Sequence, residues 1–278
     1  MTLTPTEIRA LARRHGVRPS KALGQHFLVD PNTTRRIIRL AGVGRDDQVL
    51  EVGPGLGTLT LALAEHARRV VAVELDRGML APLRDVLAET PNVDIVQGDA
   101  LALDLASLLG AGSWRMVSNL PYNVATPLIA RLLEEVPQVT DLVVTIQREV
   151  GERLVAGPGS RTYGAVSVLV ALHAEGEILA RIPPTVFWPP PAVESVLVRL
   201  RRRPPPVEMA PARIMPVVRA AFGQRRKTVR NALAAGLGRT PDEVEAAVRA
   251  AGVDPSARAE DLGLEEFARL ASRLGASG

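Results

Sequence analysis

The sequence predicts an α/β fold: an open, doubly wound, mostly parallel sheet followed by a small all-helical C-terminal domain. Three observations carry this. Short apolar runs alternate with helical patterns between about residues 48 and 146, which is the pattern of a sheet covered on both faces. The first run enters a glycine-rich turn, Gly53-Pro-Gly-Leu-Gly57, of the kind that joins a strand to a nucleotide-facing helix. A basic, proline-rich break, Arg199-Leu-Arg-Arg-Arg-Pro-Pro-Pro206, interrupts the chain, and beyond it every pattern is helical. The boundary is drawn there, giving domains 1–202 and 203–278.

Thr4-Pro5-Thr6-Glu7 is a capping box with proline at the first helical position, so a helix is expected over about 5–15. Asp30 caps a second, through about 41. Gln48–Val52 reads as a buried strand and Thr58 to about Ala67 as the helix after the glycine turn. A second strand, Arg69–Glu74, ends on a carboxylate 21 positions after Gly53, where a ribose diol would lie. A helix over 77–89 and a third strand, Val93–Val96, lead to Gly98-Asp99. The fourth strand runs into Asn119-Leu120-Pro121-Tyr122, a helix over 126–136 follows, and Asp141–Ile146 is the fifth strand. Residues 147–176 read as helix broken by a polar loop; strands are expected near 177–182 and 192–200, with Val186-Phe-Trp-Pro-Pro-Pro-Ala-Val193 between them. Helices are expected over about 210–222, 225–235, 241–251 and 264–274.

The absence of cysteine excludes disulfide scaffolds, thiolate metal sites and Cys nucleophiles together. His15, His26, His66 and His173 show no metal-ligand spacing, so no metal is expected. No run of 18 uncharged apolar residues and no basic-then-apolar leader is present, so a soluble, unprocessed chain is expected. The net charge of +4 hides a pattern: residues 1–45 carry nine basic side chains against two acidic, 46–198 ten against nineteen, and 199–278 fifteen against nine. Two basic flanks around an acidic middle suit a polyanion gripped at the ends while chemistry sits in the centre.

In open parallel sheets, ligands bind beyond the carboxyl ends of the strands. Gly53–Gly57, Glu74, Asp99 and Asn119–Tyr122 all fall on that edge. Leu120 precedes a proline and is pushed towards extended geometry, and Pro121 fixes the local carbonyl directions. The result is a rigid rim of acceptors beside an aromatic face, suited to a planar, amino-bearing ring. The glycine turn lacks the Gly-Lys-[Ser/Thr] of a P-loop and has Gly53-x-Gly55-x-Gly57 in place of G-x-G-x-x-G, with Glu51 on the preceding strand. A sulfonium ligand needs close backbone approach without a lysine, and an acidic surround suits its charge. The acidic-x-Gly-x-Gly-x-Gly form resembles S-adenosylmethionine-dependent methyltransferases more than dehydrogenases, so S-adenosylmethionine is expected ahead of a dinucleotide.

Gly24-Gln-His-Phe-Leu28, Glu51-Val-Gly-Pro-Gly-Leu-Gly57, Glu74, Gly98-Asp-Ala-Leu101, Asn119-Leu-Pro-Tyr-Asn123, Phe187-x-Pro-x-Pro-x-Val193 and Phe222-Gly-Gln-Arg-Arg-Lys-Thr-Val-Arg-Asn231 occur in the order and spacing of one family. From about residue 18 onward the chain resembles the RNA adenine N6-dimethyltransferases of the KsgA type, which act on small-subunit ribosomal RNA and carry a Rossmann-like methyltransferase sheet with an antiparallel edge strand. The resemblance implies that His26 and Leu28 cover the cofactor, that Gly53 and Gly55 approach its methionine moiety, that Glu74 holds the ribose and Asp99 the adenine amino group, and that Asn119 touches both cofactor and target amine. His26 departs from the Asn found in many relatives. Acceptors from Asn119 and the Leu120 and Pro121 carbonyls would align the exocyclic nitrogen, and Tyr122 and Phe187 would sandwich an extruded base. Arg201, Arg202, Arg203, Arg225, Arg226, Lys227 and Arg230 are the expected RNA-binding cations.

The implied activity is dimethylation of two adjacent adenosines in the hairpin at the 3′ end of 16S ribosomal RNA, within an immature 30S subunit, by a cytoplasmic monomer. Two rivals are an Erm-type methyltransferase of large-subunit RNA and a non-catalytic nucleic-acid-binding factor on the same fold. The Phe222–Asn231 block and Ala125-Thr126-Pro127 stand against the first; the intact glycine turn and Asn119–Tyr122 stand against the second.

Overall fold

The computed structural model describes residues 2–20, 23–224 and 226–274. The strands are β1 (Phe27–Leu28), β2 (Gln48–Val52), β3 (Arg69–Glu74), β4 (Val93–Gln97), β5 (Trp114–Asn119), β6 (Val139–Gln147), β7 (Ala174–Ile182), β8 (Phe187–Trp188) and β9 (Ser195–Arg202). The helices are α1 (Pro5–Arg14), α2 (Pro31–Ala41), α3 (Thr58–His66), α4 (Leu80–Val86), α5 (Leu105–Leu109), α6 (Ala125–Glu135), α7 (Arg148–Leu154), α8 (Ala165–His173), α9 (Pro211–Phe222), α10 (Val229–Leu237), α11 (Pro241–Ala250) and α12 (Leu264–Leu274).

Seven strands form one sheet in the order β4-β3-β2-β5-β6-β9-β7. β2 pairs in parallel with β3 and β5, β3 with β4, and β5 with β6, whereas β9 runs antiparallel to β6. The strand order reverses between β2 and β5, and that switch point opens a crevice for ligands. The helices start where their caps dictate. Thr4 and Thr240 each close a capping box with Glu7 and Glu243, and the Asp30 carboxylate accepts the Thr33 amide proton. The helix expected over 77–89 is instead a short 3-10 turn, Arg77–Met79, followed by α4; Asp76 caps the turn through the Gly78 amide.

Two compact units divide the chain: Met1–Gly151 with Glu177–Arg201, and Glu152–Gly176 with Arg202–Gly278. The second differs from the helical domain drawn at 203–278 by Glu152–Gly176, which carries α8. α8 packs on α9 and α12. Phe222 lies between Tyr163 and Phe267, with ring centroids 5.7 and 5.9 Å away, and Tyr163 Oη donates to the Leu262 carbonyl at 3.0 Å. Apolar side chains from two distant segments therefore make one core, and the proline-rich break marks only one of its boundaries.

The amino ends of the central strands are tied by ions. Asp141 on β6 takes hydrogen bonds from Arg199 Nε and Nη2 at 3.0 and 2.7 Å and from Arg115 Nη2 at 2.6 Å. Arg115 also reaches Asp47 Oδ2 at 3.0 Å and the Ala41 and Gly42 carbonyls. A buried carboxylate is tolerated when its lone pairs are filled in this way.

Candidate active site

The carboxyl ends of β2, β3 and β5 line one pocket, closed on a further side by residues 23–28. Its chemistry begins with the glycine turn. Gly53 and Gly55 hold φ of +74° and +55°, a region that side-chain-bearing residues avoid. Space forbids a side chain as well: a Cβ on Gly53 would lie 3.0 Å from Pro121 Cδ, and one on Gly55 2.8 Å from Phe27 Cδ1. The turn thus lets the Asn119–Tyr122 rim and the 23–28 segment approach the strand ends directly.

Glu74 is 5% exposed and organises this turn. One carboxylate oxygen accepts the Gly55 amide proton at 3.0 Å, the other that of Asp76 at 2.8 Å. Burial raises its pKa and these backbone donors work against that rise. Glu51, 2% exposed, has no such backbone donors, and only the Thr60 hydroxyl opposes the effect of its burial. Its Oε2 is buried without a hydrogen-bond partner, and burial, with the neighbouring Glu74 charge, pushes its pKa up to about 8. Sequence reasoning read Glu51 only as part of the glycine-turn pattern; its position inside an apolar strand was the signal of a larger role. Asp99 stands exposed on the far side of the pocket, its Oδ1 accepting the Leu101 amide proton at 2.9 Å.

On β5, Asn119 donates from Nδ2 to the His26 carbonyl at 2.8 Å. A carbonyl only accepts, so this bond fixes the amide orientation and makes the other atom Oδ1, an acceptor. Leu120 is anchored by its own amide, which donates to the Thr145 carbonyl at 3.1 Å. The Pro121 carbonyl, expected as an acceptor for the target amine, accepts the Val124 amide proton at 3.2 Å, closing a turn into α6. Tyr122 is half-buried and shares a 2.6 Å hydrogen bond between its Oη and Ser195 Oγ.

The 23–28 segment is held on both sides. Gln25 Nε2 donates to Asp76 at 2.8 Å, and its Oε1 accepts the Ser20 amide proton. β1 pairs with β8, Leu28 opposite Phe187 and Phe27 opposite Trp188. His26 Nδ1 donates to the Pro189 carbonyl at 2.7 Å, and its ring lies 5.3 Å from that of Tyr122. His26 therefore braces the rim as well as lining the pocket, and Leu28 lines the pocket from the core side.

The structure thus brings together His26, Leu28, Gly53, Gly55, Glu74, Asp99 and Asn119–Tyr122. Phe187 is not among the residues lining this pocket. It is 3% exposed and packs with Leu28, Ile37, Val143 and Leu197, because its pairing with Leu28 turns the ring into the core. Among the basic residues, Arg201, Arg226 and Lys227 are exposed and Arg202 is half-buried. Arg203 is tied to the Ala171 carbonyl and Glu175, and Arg230 to Glu245 and Asp242. Arg225 lies outside the described residues. No group of three or more metal-ligating side chains occurs among the described residues, and no described helix is long and apolar enough to cross a membrane.

None of the described residues lining the pocket is Lys or Arg, whereas Glu51, Glu74, Asp76 and Asp99 all are present. That donor set rejects a pyrophosphate. It fits a ligand bearing an ammonium and a sulfonium at one end and hydroxyls at the other, and Glu51 lines the pocket with one oxygen that has no partner. Sheet and pocket together define an S-adenosylmethionine-dependent methyltransferase. The comparisons narrow this further: a family model described as ribosomal RNA adenine dimethylase matches residues 17–275, and the chain belongs to that family. It is 47% identical over 275 residues to the ribosomal RNA small subunit methyltransferase A of Thermobifida fusca, covering 97% of this chain and 95% of the relative. It is 44% identical to the protein of that name from Moorella thermoacetica, covering 98% of each. The 23S rRNA methyltransferase ErmE structure superposes with a TM-score of 0.66 at 30% identity, over 89% of this chain and 99% of that one. A dimethyladenosine transferase from Plasmodium falciparum shares the fold, with a TM-score of 0.70 at 23% identity over 88% and 96%.

Proposed function

We propose that this protein dimethylates N6 of two adjacent adenosines in the 3′-terminal hairpin of 16S ribosomal RNA, using S-adenosylmethionine, during small-subunit assembly. The observation that carries the chemistry is Asn119, whose amide nitrogen is committed to the His26 carbonyl. Membership of the ribosomal RNA adenine dimethylase family, and relatives named small subunit methyltransferase A, support the substrate. The higher identity to those relatives than to ErmE favours the small-subunit reading over a large-subunit one. The protein is proposed to act as a cytoplasmic monomer on an immature 30S subunit.

When bound, the cofactor supplies a methyl group on a sulfonium. Everything else falls to this chain. Gly53 and Gly55 would admit the methionine end, Glu51 its cationic charge, Glu74 the ribose through the lone pairs not used on Gly55 and Asp76, and Asp99 the adenine. Asn119 Oδ1 and the Leu120 carbonyl would accept the two N–H protons of the target amine. Its lone pair is delocalised into the ring, and bonds in those directions favour a pyramidal nitrogen facing the methyl. The nitrogen would take the methyl group as the methyl's bond to sulfur breaks, and the methylated, cationic nitrogen would release one proton to water, so no strong base is required and positioning supplies most of the acceleration. Tyr122 would stack on the base, worth roughly 1–3 kcal/mol, and the base must be unpaired or flipped to reach it. Phe187 would complete a sandwich only by leaving its core packing, so Tyr122 is the principal stacking ring.

The test offers labelled methyl donor with naked ribosomal RNA or partly assembled small subunits, and maps product by mass spectrometry. Label at two neighbouring adenosines of the small-subunit hairpin is expected; label in large-subunit RNA alone, or none, overturns the reading. Tyr122→Ala should lose turnover by about 10- to 100-fold while cofactor affinity, measured by calorimetry, stays within a few-fold. Loss of cofactor binding would assign Tyr122 to the cofactor instead.

A further inference from the structure

Ser195 is fully buried at 0% exposure, at the first position of β9 and ahead of the apolar run Val196-Leu-Val198. A hydroxyl at such a position costs stability unless it finds a partner. Its side-chain partner is the Tyr122 phenol, 2.6 Å away. The post itself is fixed. Ser195 pairs with Gln147 at the end of β6, and the next residue, Arg148, donates its amide to the Glu194 carbonyl and its guanidinium to the Glu194 carboxylate, both at 3.0 Å. The other side of the Tyr122 ring meets His26, itself tethered to Pro189.

We infer that Ser195 is a positioning residue of the methyl-transfer reaction, fixing the tilt of the Tyr122 ring against which the target base lies. The inference rests on the reading of Tyr122 as the stacking ring. A ring held only at Cα and Cβ swings at its tip about χ1, and the phenol oxygen is that tip. A bond there, to a strand rather than to another loop, removes the swing before substrate arrives. Ser195 thereby acts through Tyr122 without touching the base or the cofactor.

The test measures kcat and KM for assembled-subunit substrate, cofactor affinity and Tm for Ser195→Ala, Tyr122→Phe and the double variant. Each single variant should lower kcat by about tenfold, the scale of one hydrogen bond, with cofactor affinity near that of the unaltered protein; Tm should hold in Ser195→Ala and in the double variant and fall by a few degrees in Tyr122→Phe, which leaves the buried Ser195 hydroxyl unpaired. The double variant should be no slower than either single one, since both remove the same bond. Multiplied losses in the double variant, or unaltered kcat in Ser195→Ala, overturn the inference; a change in Tm without a change in kcat does the same. If Ser195→Ala does not fold, Tyr122→Phe decides, because it removes the bond from the other side, and unaltered kcat there overturns it. An inactive Tyr122→Ala beside fully active Ser195→Ala and Tyr122→Phe rejects this inference alone, whereas an active Tyr122→Ala rejects the stacking reading beneath it.

Discussion

The two ends of the parallel sheet treat a buried carboxylate in opposite ways. At the amino end, Asp141 is held by two guanidiniums, Arg115 and Arg199. At the carboxyl end, one strand away from β5, Glu51 is buried with an oxygen that has no partner. The first arrangement is complete within the chain and serves the fold. The second is incomplete, and a buried polar group left without a partner marks a candidate position for a ligand. The same side-chain chemistry thus serves the fold at one end and, on the proposed reading, the cofactor at the other.

The comparison breaks most plainly through Asp141. Asp141→Ala leaves Arg115 and Arg199 facing each other, and removing one partner of a buried ion pair costs about 3–5 kcal/mol. A fall in Tm of roughly 10 °C is expected, with near-normal turnover in whatever fraction stays folded. At the other end the effect should invert. Asn119→Ala removes the oriented acceptor, and turnover should drop by about 10²- to 10³-fold, as when one oriented group is taken from a transition-state site, while thermal unfolding moves little. If Asp141→Ala were as inactive as Asn119→Ala yet equally stable, the division between the two ends would be wrong.

Glu51 sharpens the contrast through pH. Its folded pKa, about 8, stands above the ordinary 4.5, so between those values the folded state holds a proton that the unfolded state has released. Stability conferred by the protonated form is therefore present at low pH and lost as pH rises towards about 8, by at most roughly 1.4 kcal/mol per pH unit. Urea midpoints of the cofactor-free protein should show this fall, and Glu51→Gln should abolish it and equal or exceed the parent in stability at pH 8. Cofactor affinity should weaken roughly ten- to hundredfold in that variant. A Glu51→Gln protein that binds cofactor normally would remove Glu51 from the site.

Much of this was legible in the sequence. Thr4-Pro5 and Thr240-Pro241 announce their helices because a cap is a local interaction. Glu74, Asp99 and Asn119 could be placed on one edge because the carboxyl end of each parallel strand shares it. What escaped was non-local. β1 and β8 are two residues each and pair across about 160 positions of sequence, so nothing nearby revealed that Phe187 would face the core. An aromatic before a proline run reads the same in either orientation; the register with Leu28 decides. Ser195 carries no local sign of its role, because its partner, Tyr122, is 73 residues away. α8 carries no mark in its own sequence of the helices it packs on.

The rule that separates the sheet ends extends to the cations expected to hold RNA. Arg230 is engaged by Glu245 and Asp242, and Arg203 donates to the Ala171 carbonyl and lies 3.7 Å from Glu175. Arg226 and Lys227 stand exposed. Charges already neutralised within the chain release few counterions on meeting phosphate, whereas exposed ones release about one each. Arg226→Ala and Lys227→Ala should each therefore weaken RNA binding modestly and reduce the slope of log affinity against log salt by roughly one, with Tm unchanged. Arg230→Ala should leave that slope alone and show itself as a small loss of stability, since it strips Glu245 and Asp242 of their partner on α10. Filter binding across a salt series separates the two classes. An Arg230→Ala slope that falls as far as that of Arg226→Ala would mean its acidic partners release it to the RNA, and engagement within the chain would then no longer distinguish the structural cations from the binding ones.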